Sequence, residues 1–317
     1  MSLKPFIILF LICGQLIFSQ SDSIPRNGYV TTFQDKITTR IGLVNTSNSF
    51  FINDESSNVR YNLKPNSREY LGFSVLFRSI ELDFGFLPSF LKDNKDNGDS
   101  KLFNLNLRMF LGQWMQTLNL YSQKGFFAEL DNNIELSIPG IKTLKVGGAT
   151  SYIFNPNFSF RAIGFQNEWQ RKSAGSFIPK LFYYYTTFEI KDSGSVENAT
   201  SFDIAIAPSY HYNFVLKEHF ILGLGASLGI GYNTNNLGER SINSLLFEYG
   251  GRAVLGYNSD TFFTGVNSSI NFFEHKSDRS VRVDDTLTFV EFYIGYRFKA
   301  PKSFIKIADK VNKTLGL

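Results

Sequence analysis

Residues 288 to 298, TFVEFYIGYRF, alternate without a break: Val290, Phe292, Ile294, Tyr296 and Phe298 fall on one side of an extended chain, and Glu291, Tyr293, Gly295 and Arg297 on the other. Successive side chains of a strand point to opposite faces, so this segment is a strand with one wholly apolar face and one that carries charge. The pattern recurs. Phe220, Leu222, Leu224, Ala226, Leu228, Ile230 and Tyr232 alternate with Gly223, Gly225, Ser227, Gly229 and Gly231, and the apolar row of 202–214 alternates with Asp203, Ala205, Ala207, Ser209, His211 and Asn213. Leu71 to Phe77, Ile80 to Phe86 and Phe103 to Leu111 repeat it, with only Arg78 and Ser79 between the first two, which predicts a tight hairpin. Such a chain either hides its apolar rows between two sheets or turns them all outward to lipid.

Two features favour lipid. Aromatics at row ends, such as Tyr232, Tyr257 and Phe298, add nothing to a sandwich, whereas in a membrane barrel they mark the interfacial girdles. The connections also alternate: polar stretches at 191–200, 233–243 and 274–286 read as long outer loops, and 170–175, 215–218 and 258–260 as short turns. The predicted fold is all-β, an antiparallel up-and-down transmembrane β-barrel over residues 36–298, in which every strand edge is paired. Carrying the alternation to the N-terminus makes 126–137 a strand and joins 36–53 to 58–78 as one bulged hairpin, which gives fourteen strands; twelve is the alternative if 126–154 is mostly loop. The 34 Phe and 15 Tyr suit strands better than helices.

The ends read differently. Lys4 followed by the apolar stretch Phe6 to Phe18 predicts a signal peptide over 1–20, followed by a periplasmic segment over 21–35. The only cysteine, Cys13, lies in that signal, so the mature chain has neither disulfides nor thiol chemistry. After Phe298, the tail 299–317 places Phe304, Ile307, Ala308, Val311 and Leu315 on one helical face and Lys306, Lys310 and Lys313 off it, a basic amphipathic stretch suited to the inner leaflet surface or to a periplasmic partner. The net charge of +4 is scattered, with no basic run longer than two residues, which argues against nucleic acid. The expected partners are outer-membrane lipids and the barrel assembly machinery.

The inward faces supply the candidate site residues. Glu81, Asp83, Arg108, Asp203, Ser209, His211, Gly225, Ser227, Glu248, Arg252, Glu291 and Arg297 are predicted to line the lumen, as a selectivity lining or as ion pairs that fill it. The small residues Ala205, Ala207 and Ser209, beside Gly223 to Gly231, predict the roomiest wall there unless a loop or tail fills it. Ser209 and His211 share a face, the nearest thing to a hydrolase pair, although a wet lumen wall explains them as well. His211, His219 and His275 lie on different elements without ligand spacing, and GLGASLGIGY lacks the Gly-Lys-Ser/Thr of a phosphate loop. Nothing here calls for a metal or a cofactor.

One stretch is distinctive. Asn157, then Phe158 to Arg161, then Trp169, Gln170, Arg171, Lys172, Ser173, Ala174, Gly175 and Ser176 resemble an uncharacterised Bacteroidota outer-membrane barrel family known only as a domain of unknown function, in which the Phe-Ser-aromatic-Arg segment is a strand. The VRYNLKPNSREYLGF segment resembles the family more loosely, with extra residues between Tyr61 and Pro65. The resemblance covers the mature chain and implies a barrel but no mechanism. Read by itself, Trp169–Ser176 predicts a periplasmic turn, with Gly175 supplying backbone freedom and Trp169 an interfacial anchor. Asp22-Ser23-Ile24 and Asp285-Thr286-Leu287 also resemble the Asp-[Ser/Thr]-aliphatic O-glycosylation acceptor, the second at the edge of a long loop. The leading expectation is a passive or carrier route for small or amphipathic solutes; a structural or assembly-linked barrel with a filled lumen comes second, and a lipid-acting hydrolase third.

Overall fold

The computed structural model describes residues 28–54, 59–66, 69–88, 101–130, 135–164, 167–192, 195–238, 240–276 and 281–315. The signal peptide and the first acceptor-like triplet lie outside these residues. The strands are β1 (Val30–Thr32), β2 (Lys36–Asp54), β3 (Val59–Pro65), β4 (Glu69–Phe77), β5 (Ile80–Phe86), β6 (Lys101–Leu111), β7 (Trp114–Leu130), β8 (Glu135–Tyr152), β9 (Glu168–Gln170), β10 (Ala174–Asp192), β11 (Ser195–Leu216), β12 (Phe220–Leu237), β13 (Arg240–Asn258), β14 (Phe262–Lys276) and β15 (Val281–Lys299), with helices α1 (Phe160–Ile163) and α2 (Lys302–Leu315).

All wall pairings are antiparallel, and β15 returns to β2 from Lys299↔Lys36 to Val281↔Asp54, closing the barrel without a free edge. β3 and β4 are two halves of one wall strand: β4 pairs with the first half of β2 and β3 with the second. On their other flank β4 meets β5, whereas β3 meets β7 directly, because the short β5–β6 hairpin does not reach that height. β1 and β9 pair only with each other, so the wall has twelve strands.

Fourteen is therefore corrected to twelve. Residues 126–130 continue β7 past a bulge, where Gly125 adopts φ +89°, and 135–137 open β8; they are the top of one tall hairpin. The Phe158–Arg161 segment is not a strand either. Ser159 caps α1 by accepting from the Ala162 amide at 3.0 Å, and Phe158, Ala162 and Ile163 are buried inside the barrel. The stretches read as long loops are instead strand nearly to their tips, with Asp192↔Ser195, Leu237↔Arg240 and Lys276↔Arg282 paired. Beyond lipid both faces are polar, which erases the period-two signal while backbone pairing continues.

The outer face is an apolar belt, with Leu228, Ile206 and Phe292 at 63%, 62% and 60% exposure. No water-soluble monomer presents so continuous an apolar surface. From Phe220 to Tyr232 a strand tilted by about 40° climbs roughly 30 Å, a bilayer's hydrocarbon thickness. At the end bearing the short turns, Trp114, Tyr152, Phe154 and Phe177 form a chain of ring contacts 4.9 to 5.8 Å apart, an interfacial girdle. That end faces the periplasm. There α2 leaves the wall, tied by Arg78 donating to Asp309 at 2.8 Å and by the rings of Phe77 and Phe304 at 6.5 Å, with Phe304 and Ile307 exposed.

Candidate functional site

The periplasmic mouth is filled by the chain itself. Residues 29–35, 155–164 and 167–172 fold inward as a plug, knitted by the β1–β9 ribbon and by Arg171 N donating to Tyr29 O at 2.7 Å and Phe33 N to Asn167 O at 2.9 Å. Its apolar side chains Phe158, Ala162 and Ile163 pack on Ile178, Ile221, Val254, Phe263 and Tyr293 of the wall. Arg161 pairs with Glu168 at 3.4 Å, and Glu168 also accepts from the Ser159 hydroxyl.

The Trp169–Ser176 run fastens this plug. The Gln170 amide donates to Asn157 O at 2.7 Å and Lys172 O at 2.9 Å, while its oxygen accepts from Ser159 N at 2.8 Å and from Asn213 Nδ2 at 3.2 Å. Trp169 is buried rather than interfacial: its indole donates to Glu218 O at 3.0 Å, against His219 on one side and Arg171 at 4.0 Å on the other. Lys172 lies over the Tyr29 ring, Ser173 Oγ accepts from Val215 N, Ala174 is buried, and Ser176 Oγ accepts from Asn155 N. Gly175 supplies close approach, not backbone freedom; a Cβ there would lie 2.5 Å from the side chains of Tyr210 and Tyr212.

Above the plug the lumen is crossed by charge. Arg40 sits at the centre of one network, 3.3 Å from Asp83, 3.4 Å from Glu291 and 3.7 Å from Glu81, and Glu81 is held at 2.5 Å by Arg108. Arg40 also donates to Gly164 O of the plug at 2.9 Å. Lys180 bonds Glu248 at 3.0 Å, and Ser227 donates to the same carboxylate oxygen. Higher up, Lys145 of β8 reaches Asp285 of β15 at 2.7 Å. Beside this pair Asp203 accepts from Asn233. Nearer the hairpin tips the rings of Phe50 on β2 and Phe188 on β10 meet at 5.2 Å although three wall strands separate them. An apolar cluster of β2, β3, β7, β8 and β10 side chains thus reaches across one side of the lumen there. Between plug and cross-lumen contacts lie two adjoining chambers of about 240 and 220 Å³, which share Arg108, Arg252, Asn119, Ser269, Asn271 and Tyr184 as well as Phe160, Phe273 and Leu287.

Arg252 faces both chambers; Arg297 lies lower, between the Phe33 and Phe263 rings at 4.4 and 4.6 Å, and donates to Ser259 O and Asn258 Oδ1. Ser209 donates to Ile178 O at 2.7 Å rather than to His211, whose ring stands against Phe160 and over Gly225, where a Cβ would lie 2.0 Å from Nδ1. The expectation that the small-residue wall is the roomiest is corrected: the chambers touch it only at Ser209, Gly225 and Ser227, while Ala205 and Ala207 are buried against Phe182, Leu246 and Phe273 and Ile163 lies near Gly223. Asp285 is a buried strand residue paired with Lys145, so its triplet is not at a loop edge. Sequence reasoning missed Arg40, Lys145, Lys180 and Glu168. For Arg40 and Lys145 the signal was parity, since each falls in step with the inward residues Val44 and Ala149 of its own strand.

The closed wall with its lipid-facing belt makes this an outer-membrane β-barrel protein. No curated protein matches the chain. Among solved structures it is similar to the outer membrane protease OmpT from Escherichia coli (9% identical, TM-score 0.34, covering 84% of this chain and 98% of that one), to an outer membrane channel from Pseudomonas putida F1 (10%, 0.38, 88% and 100%) and to the P. putida toluene transporter TodX (8%, 0.29, 84% and 90%). Scores this low assign nothing to this chain. Residues 20–298 match the family described as Domain of unknown function (DUF4421), and the chain belongs to that family.

Proposed function

We propose that this barrel is a gated route for small polar solutes across the outer membrane, closed at rest by its own plug. The observation that carries the reading is the pair of chambers, lined by charged and polar side chains together with Phe160, Phe273 and Leu287, that lie between the plug and the cross-lumen contacts. A barrel filled only for rigidity would pack that volume, since voids forfeit contact energy. The plug suits a gate better than a fixed stopper. It is one excursion between β8 and β10 together with the segment before β2, so it can shift without breaking a wall pairing.

The test is conductance of refolded protein in planar bilayers, with solute-driven swelling of liposomes alongside. Wild type should show little steady conductance. Gln170→Ala, which unfastens the plug, should raise conductance and swelling while leaving the barrel heat-modifiable. If neither protein passes ions or solutes although both are folded, the lumen is a structural filling and the route is refuted.

A further inference from the structure

The cations around the two chambers are not equivalent. Arg40, Arg108, Lys145 and Lys180 each have a carboxylate within 4.0 Å. Arg252 has none among the described residues. Its guanidinium donates to the Asn267 side chain at 3.0 Å and lies 5.7 Å from the Phe160 ring of the plug, and the residue lines both chambers. Glu291, on the far side of the strand that bears Asn267, is engaged by Arg40. An arginine held in a narrow lumen with no carboxylate in direct contact is poorly compensated, and that cost is relieved when an anion occupies the space in front of it.

That space is built for one. Arg108, fixed by Glu81, shares both chambers with Arg252, and Ser269 and Asn271 line them with neutral hydrogen-bonding groups, while the two carboxylates that line the larger chamber, Asp83 and Glu291, are each paired with Arg40. Guanidinium forks match the paired oxygens of carboxylates and phosphates, and neutral donors beside them complete such a site without repelling the ligand. We infer that the junction of the chambers is an oxyanion site, in which Arg252 with Arg108 binds the carboxylate or phosphate group of a small solute. This rests on the gated-route reading only for how the solute arrives; the binding itself does not depend on transport.

The experiment is calorimetric titration of the refolded, detergent-held protein with inorganic phosphate and, separately, with acetate, in wild type and in Gln170→Ala to ensure access. Saturable binding of either anion, weakened at least tenfold in Arg252→Gln, is expected, and the preferred anion tells phosphate from carboxylate chemistry. Arg252→Lys, which keeps the charge without the fork, should bind several-fold more weakly than wild type and serves if the glutamine variant fails to fold. Binding unchanged by both substitutions, or no saturable binding of either anion even with the plug loosened, overturns the site. Binding without any flux in liposomes leaves the site standing and removes the route; flux without anion binding does the reverse.

Discussion

Gln170 is the plug's fastening, and its removal can be given a size. Its side chain is almost wholly buried and bonds four plug backbone groups, the Ser159 amide and the Asn157, Lys172 and, at 3.4 Å, Tyr29 carbonyls. Truncation in Gln170→Ala orphans the buried Ser159 amide, whereas the Asn157 and Lys172 carbonyls lie where water can replace the lost donor. At about 1.4 kcal/mol, within the range for one unsatisfied buried group and equal to one tenfold step, the open population of the plug rises roughly 10-fold. The wall should not notice, because its ladder closes without the plug. The chain allows a clean readout: its one cysteine, Cys13, lies in the predicted signal, so Ala162→Cys, a fully buried plug position, introduces a single thiol into the mature protein. Maleimide labelling at that thiol should be roughly 10-fold faster when Gln170→Ala is added, with heat-modifiable migration retained. Labelling within threefold of the parent, in protein whose wall is folded, would refute the assignment of Gln170 as the fastening.

Three further expectations follow from the same geometry. Ile206→Arg and Phe292→Arg, both on the lipid belt, should each cost about 2 to 4 kcal/mol in denaturant titrations in vesicles if they lie near the bilayer midplane, while Thr200→Arg, on a polar hairpin, should cost far less; equal costs would mean the belt is misplaced. Lys145→Met leaves Asp285 buried without its partner and should cost about 3 to 5 kcal/mol, and the double variant Lys145→Met/Asp285→Leu should recover most of it; a double no better than the single would show that the pair is not the source. Phe304→Trp on α2 should emit at shorter wavelength in bilayers than in a detergent-free peptide of the same tail, as an interfacial helix requires, and an unshifted spectrum would place that face in water.

The wall was legible because lipid and lumen impose opposite demands on alternate residues. Val290, Phe292 and Ile294 against Glu291 and Tyr293 declare both faces at once. The plug was not. In FSFRAIGFQNEWQRK a buried helical turn and a three-residue ribbon replace any period, and Trp169 looks like an interfacial anchor until the 217–219 turn is known to accept its indole proton. The tall hairpins were lost for the opposite reason, since above the bilayer both faces meet water. The charge partners were half legible: parity assigns Glu81 and Arg108 to the lumen, and opposed strands make them neighbours. That Arg40 joins them follows from β2 lying beside β4, the pairing that the bulged hairpin of 36–53 with 58–78 already implies.

Arg40 also sets how plug and chambers are coupled. Four of its contacts, to Ser74, Asp83, Glu81 and Glu291, hold the guanidinium to the wall, and one, from Nη1 to Gly164 O, reaches the plug. Withdrawal of the plug breaks that one bond and frees a donor at the edge of the larger chamber, which Arg40 lines. The same withdrawal carries off Phe160, whose ring contacts Arg252 and lines both chambers. Opening therefore changes the cationic wall at two points together. By linkage, any solute that binds this wall more tightly in one plug position must shift the plug toward that position by the same free energy. Ala162→Cys labelling in the Gln170→Ala background measures that shift directly. Addition of phosphate or acetate at saturating concentration should change the labelling rate, and the change should vanish in Arg252→Gln. A rate that responds equally with and without Arg252 would mean that the anion acts elsewhere, and that plug and chamber move independently.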